Sequence, residues 1–193
     1  MALSHPGGRA AWEGHLSNDD ETSSESGDAK QQVAARVHRY EATCSWAGST
    51  GGGYETYSRS HRGASVPARA QLTLSSDPAF RGDPSLLNSE QLLVLAASSC
   101  QLLSFLAVAA RARIDVVAYE DSAEAEMPEA DKPVRITEVR LRPRITLNGR
   151  VAEERLRRLV EVAHHECFIA NSLSSRVTVD PSFDFQDERP ARA

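Results

Sequence analysis

A chain of 193 residues is long enough for one domain with a true core plus short tails. With 40% apolar and 25% charged residues it has the composition of a soluble globular protein, and a net charge of -5 argues against the basic footprint of a nucleic-acid or anionic-membrane binder. Three scattered cysteines, Cys44, Cys100 and Cys167, are too few for a secreted disulfide scaffold, and without a basic-then-apolar leader they predict a reducing, cytoplasmic compartment.

Residues 1–32 are rich in Ser, Gly, Asp and Glu and poor in branched apolar side chains. Such a stretch cannot bury enough surface to offset its ordering entropy, and it is expected to be a flexible tail. From Val33 the pattern changes. "VHRYEATCSW" reads as a strand, "AGSTGGG" as a turn and "YETYSRSH" as the returning strand of a hairpin. Cys44 lies on the first of these strands, where a small buried hydrophobe is the ordinary role. "AQLTL" is a possible short strand, and "DPAFRGDP" is a loop punctuated by Pro, Gly and Asp.

A long helix follows. Asn88 suits its N-cap, Gln91 can close a capping box, and Glu90 sits in the first turn where the helix dipole favours a carboxylate. The run from Gln91 to Ala110 carries no formal charge and approaches the length of a membrane span. Gln91, Ser98, Ser99, Gln101 and Ser104 interrupt it, so a helix buried in a large or dimeric core is the expectation. Arg111 and Arg113 suit its C-terminal end.

"DVVAYEDSAEAEM" and "VRITEVRLRPRITLN" then read as strands, with Pro143 at an edge or bend and Asn148-Gly149 as a turn. "VAEERLRRLVEVAHHEC" is an amphipathic helix whose stripe Leu156, Leu159, Val160, Ala163 is continued by Cys167. A helical turn, "FIANSL", and a last strand, "SRVTVD", lead to a polar tail over residues 184–193. Strands grouped between two long helices predict an α+β domain, residues 33–183, with antiparallel sheet.

Two cysteines in these settings raise thiol chemistry. A thiol attacks a peroxide only as the thiolate, and a free cysteine has a pKa of about 8.5, so a cation or helix N-terminus must stabilise the charge. The sulfenic acid left behind can be trapped as a disulfide by a second thiol. Cys100, in mid-helix, needs a side-chain cation. Cys167 stands before a new helical turn. His164 and His165 raise metal binding as a rival, but adjacent helical residues point about 100° apart and rarely chelate one ion.

"LNSEQLLVLAASSCQLLSFLAVAARARIDV" followed by "RLVEVAHHECFIANSLSSRVTV" resembles the OsmC/Ohr family, the osmotically inducible protein C and organic hydroperoxide resistance proteins, over roughly Val33 to Val179. The resemblance implies an intertwined homodimer in which antiparallel sheets wrap two central helices. It implies reduction of organic hydroperoxides by a peroxidatic Cys100 and a resolving Cys167. No bound cofactor is implied, and an external dithiol such as a lipoylated protein is the expected reductant. Asn88-Ser89-Glu90-Gln91 matches the family's N-P-E-[EQ] helix start, which carries over Glu90; Ser89 replaces the usual Pro. The family's active-site arginine matches Arg81 in "AFRGDP", with Arg59 in "YSRSH" as rival. Glu90 and Cys100 are separated by about 15 Å along one helix, so the resemblance implies a site completed by an arginine or by a partner chain. The competing expectation is a non-catalytic dimer that binds a small apolar ligand or a partner protein.

Overall fold

The computed structural model describes residues 36–186. The tail expected over residues 1–32 lies outside the described residues, as does the end of the chain from residue 187. Every element below belongs to the compact unit that begins at Tyr40.

Three short strands, β1 (Thr43–Ser45), β2 (His61–Ala64) and β3 (Gln71–Leu74), form an antiparallel sheet in that order. The long helix α1 (Ser89–Arg111) comes next, then β4 (Val116–Asp121), β5 (Glu124–Glu126), β6 (Glu138–Leu141) and β7 (Pro143–Asn148). Helices α2 (Glu153–His165) and α3 (Phe168–Ser172) precede β8 (Arg176–Val179) and β9 (Ser182–Gln186).

The six later strands make two sheets, β4-β7-β9 and β5-β6-β8. In each of the pairs β4 with β5, β6 with β7 and β8 with β9, the chain passes from one of these sheets to the other. Pro143 opens β7 and is fully buried, a position that needs no backbone donor from it. The expected antiparallel pairing holds for β4 with β7 and for β5 with β6. By contrast, β8 joins β6 and β9 joins β7 in parallel. The chain reaches them through α2 and α3, and such a crossover returns a strand in the same direction.

The class is therefore α+β, rich in antiparallel pairs, as expected. Three local expectations change. The first hairpin is shorter, because residues 46–60 form a long loop that packs on itself: Trp46 Nε1 donates to the Ser58 carbonyl at 2.7 Å, and the Arg59 guanidinium stacks on Tyr54 and Tyr57. Cys44 is exposed rather than buried, since all of β1 is exposed within one chain. The start of the expected polar tail is strand β9, where Phe183 packs half-buried against the core and pairs beside Ile145.

Helix α1 begins as its sequence dictates. The Gln91 N–H donates to Asn88 Oδ1 at 2.8 Å and the Asn88 N–H donates to Gln91 Oε1 at 3.0 Å, which completes both halves of the capping box. Ala97, Gln101, Phe105 and Val108 form its buried line. The opposite face is not covered: Leu95 is 56% exposed and Leu103 63%. By length and composition α1 could cross a membrane, yet its inner face packs on two apolar clusters, one around Phe105, Ile145 and Leu156 and one around Ala97, Val139 and Leu141.

Candidate active site

The two cysteines separated by 67 positions meet where α1 crosses the start of α3. Cys100 is half-buried on α1, and Cys167 is fully buried as the N-cap of α3. The Ile169 N–H donates to Cys100 Sγ at 3.5 Å, and the Ala170 N–H donates to Cys167 Sγ at 3.5 Å. Successive amides of one turn thus point at successive sulfurs. Because Cys167 continues the apolar stripe of α2, the same periodicity that folds the helix also carries its thiol to α1.

The two thiols differ in environment. Burial pushes the Cys167 thiol up to about 11, assisted by the neighbouring Cys100 and opposed by the Ala170 and Ile169 amides. Cys100 opens onto a largely apolar groove of about 540 Å³ lined by Leu103, Ser104, Ala107 and Phe168. At the rim of that groove Arg111 and Glu166 form an ion pair at 2.5 Å.

Glu90 lies elsewhere. It borders a second cavity, of about 420 Å³, at the N-terminal end of α1, together with Arg59, His61, Cys44, Trp46 and Tyr57. Arg59 is held in place there, donating to the Tyr57 carbonyl at 2.5 Å and the Tyr54 carbonyl at 2.6 Å while its plane lies 3.7 Å from the Tyr57 ring centroid. Arg81 is not among the residues lining either cavity. It caps a single 3₁₀ turn (Pro78–Phe80) in the left-handed region, φ 67°, and pairs with Glu55 at 2.5 Å on the surface. The next residue must be glycine: a Cβ on Gly82 would fall 1.6 Å from the Ser76 carbonyl oxygen.

Within one chain, then, Cys100 meets Cys167 and Glu90 shares a cavity with Arg59, but the two pairs stand about ten residues apart along α1, a separation of about 15 Å. The aromatic pair Tyr54 and Tyr57 that seats Arg59 had a sequence signal, two tyrosines spaced by three before "SR". Gln101, buried on the inner face of α1, reads only as a polar interruption of the apolar run, and Tyr119 carries no signal.

This is an α+β domain that brings two of its three cysteines together, and comparison with known proteins identifies its fold and family. The sequence model for OsmC-like protein matches residues 82–182, more than half the chain, and the chain belongs to the OsmC-like family. An OsmC-like protein of unknown function, VCA0330 from Vibrio cholerae, superposes with a TM-score of 0.69 at 27% identity, covering 76% of this chain and 100% of that one. An organic hydroperoxide resistance protein from Elizabethkingia anophelis is similar with a TM-score of 0.59 at 19% identity, over 79% of this chain and 99% of that one. The organic hydroperoxide resistance protein OhrB of Bacillus subtilis gives 0.51 at 16% identity, over 76% and 98%. The last two likenesses establish the fold. A search of curated proteins finds no match.

Proposed function

We propose that this protein is a cytoplasmic thiol peroxidase for organic hydroperoxides, active as a homodimer. The observation that carries the reading is the meeting of a half-exposed Cys100 with a buried Cys167 at one helical turn. Attack by the Cys100 thiolate on the hydroperoxide forms an S–O bond and breaks the O–O bond; the alkoxide leaves and takes up a proton as the alcohol. Cys167 then attacks the sulfur of the sulfenic acid, an S–S bond forms, and the hydroxide leaves with the thiol proton as water. An external dithiol returns both cysteines to thiols by exchange.

The charged half of the site comes from the second chain. Glu90 and Arg59 of one chain stand beside Cys100 of the other, with Arg59 stabilising the thiolate and the peroxide oxygens and Glu90 orienting it. Arg59 is preferred to Arg81 because it lines the Glu90 cavity on a pre-organised seat, whereas Arg81 is engaged by Glu55. Two proteins of the same fold, from Elizabethkingia anophelis and Bacillus subtilis, are organic hydroperoxide resistance proteins, which supports this reading.

The test is consumption of an alkyl hydroperoxide with a dithiol as reductant. Turnover is expected for the wild-type protein, none for Cys100→Ser, and a single equivalent for Cys167→Ser, with a Cys100–Cys167 disulfide seen by mass spectrometry only in the wild type. Undiminished peroxide loss in Cys100→Ser would sink the proposal.

A further inference from the structure

The buried line of α1 is apolar except at one position. Gln101 is 1% exposed, lies between the cluster around Ala97 and the cluster around Phe105, and neither its amide nitrogen nor its amide oxygen has a hydrogen-bond partner among the described residues. The Tyr119 hydroxyl is likewise buried and unpartnered. A leucine or methionine at position 101 would fill the same space with equal helix propensity and no desolvation cost. Two orphaned polar side chains in one core layer call for a reason.

Their placement supplies it. Strand β4 is pinned along α1 at two points: Ser98 Oγ donates to Asp121 Oδ2 at 2.6 Å, and the Phe105 and Tyr119 rings lie 6.2 Å apart. Gln101 falls between Ser98 and Phe105 on the helix, and Tyr119 precedes Asp121 by two on the same strand face, so the amide and the phenol occupy one stretch of the α1–β4 interface. Cys100 is the neighbour of Gln101 in the chain, and Tyr119 packs on the cluster that contains Ala163, one helical turn before Cys167. Both side chains are thus buried within the chain, one beside Cys100 in sequence and the other on the cluster that holds the helix leading to Cys167.

We propose that Gln101 and Tyr119 bind one buried water and, through it, act as positioning residues for the resolving step, giving hydrogen bonds to the Cys167 sulfur as negative charge builds on it. This rests on the peroxidase reading. A water needs two to four polar partners, and the Gln101 amide and the Tyr119 hydroxyl are buried groups that lack one. The chemistry is unchanged in balance: the S–S bond forms, the S–O bond of the sulfenic acid breaks, and the Cys167 proton leaves with the hydroxide as water. What the layer alters is the cost of charge on a buried sulfur. In agreement, burial pushes the Tyr119 phenol up, with further upward contributions from Asp121 and Cys167.

The test separates the two half-reactions. Reduced full-length protein is mixed with one equivalent of tert-butyl hydroperoxide and quenched with dimedone over time, and mass spectrometry follows peroxide loss, Cys100 sulfenic acid and disulfide. In Tyr119→Phe and Gln101→Met, peroxide loss is expected at the wild-type rate, while disulfide formation slows about tenfold, the effect of one hydrogen bond to a charged group. The slowing should shrink as pH rises. Near Cys167 are Cys100 on α1, Tyr119 on β4 and His164, whose carbonyl accepts from the Cys167 N–H, with the Arg111–Glu166 pair at the rim of the groove, and the profile is followed up toward about 11, the value to which burial pushes the thiol. Wild-type rates of disulfide formation in both variants, or a slowing equal at every pH, would overturn the inference. A wild-type protein that forms neither sulfenic acid nor disulfide would overturn the peroxidase reading and this inference with it.

Discussion

Cys167 sits where charge is expensive. With its thiol pushed up to about 11 by burial, it is fully protonated at neutral pH, whereas Cys44 is open to solvent and Cys100 is open to a groove. Alkylation by iodoacetamide at neutral pH should therefore label Cys44 and Cys100 in the folded, reduced protein and reach Cys167 only after unfolding; peptide mapping before and after denaturant checks this. His164 gives a second residue-scale outcome. Burial, then His165, holds it below the ordinary histidine value of 6.5. A depressed histidine binds fewer protons folded than unfolded, so its contribution is present above that value and is lost as pH falls through the folded pKa. Urea titrations of His164→Gln should show a flatter loss of stability than wild type on acidification from neutral pH. A third comparison concerns the arginines. Arg59→Ala is expected to lower peroxidase kcat/KM by about a hundredfold, the scale of losing a guanidinium that stabilises a transition-state charge. Arg81→Ala, which removes an exposed ion pair, should leave both rate and stability close to wild type.

At the scale of elements, the helix caps and stripes were readable because their signals are local. The Asn88–Gln91 capping box sits where the residues put it, and replacing Asn88 by Ala should cost about 1 kcal/mol, measured by chemical denaturation. The α2 stripe likewise led to a buried Cys167, and "FIANSL" to α3. Elements defined by distant partners were harder. Strand β9 is five residues, "SFDFQ", whose pairing with β7 depends on a crossover through two helices, so its polar composition dominated the reading. Residues 54–60 read as a strand because tyrosines favour strands, but here Tyr54 and Tyr57 lie in the loop and cradle Arg59. The meeting of Cys100 with Cys167 follows from two helical contexts, whereas the sequence does not choose between Arg59 and Arg81, both carried outside helices and strands. Gln101 reads in the sequence only as one of several polar interruptions of an apolar helix, and its full burial is visible only with the core behind it.

At the scale of the whole molecule, the uncovered face of α1 and the distance of Glu90 from Cys100 would both be answered by the proposed pairing of two chains. Leu95, Leu103 and Leu106 are exposed along a stripe opposite the buried line, and burial of such leucines is worth about 2 kcal/mol each. Leu95 lies midway between Glu90 and Cys100 on the helix. If two α1 helices cross antiparallel about a two-fold axis at Leu95, each Glu90 falls level with the other chain's Cys100, and the separation of about 15 Å within a chain vanishes between chains. Leu95→Glu would set two carboxylates against each other on that axis. The expected result is a shift to monomer in sedimentation velocity and loss of hydroperoxide turnover, while a direct thiol oxidant such as diamide still forms the Cys100–Cys167 disulfide, because both sulfurs belong to one chain. A variant that stays dimeric, or a monomer that turns over at the wild-type rate, would place the charged half of the site somewhere other than across this axis.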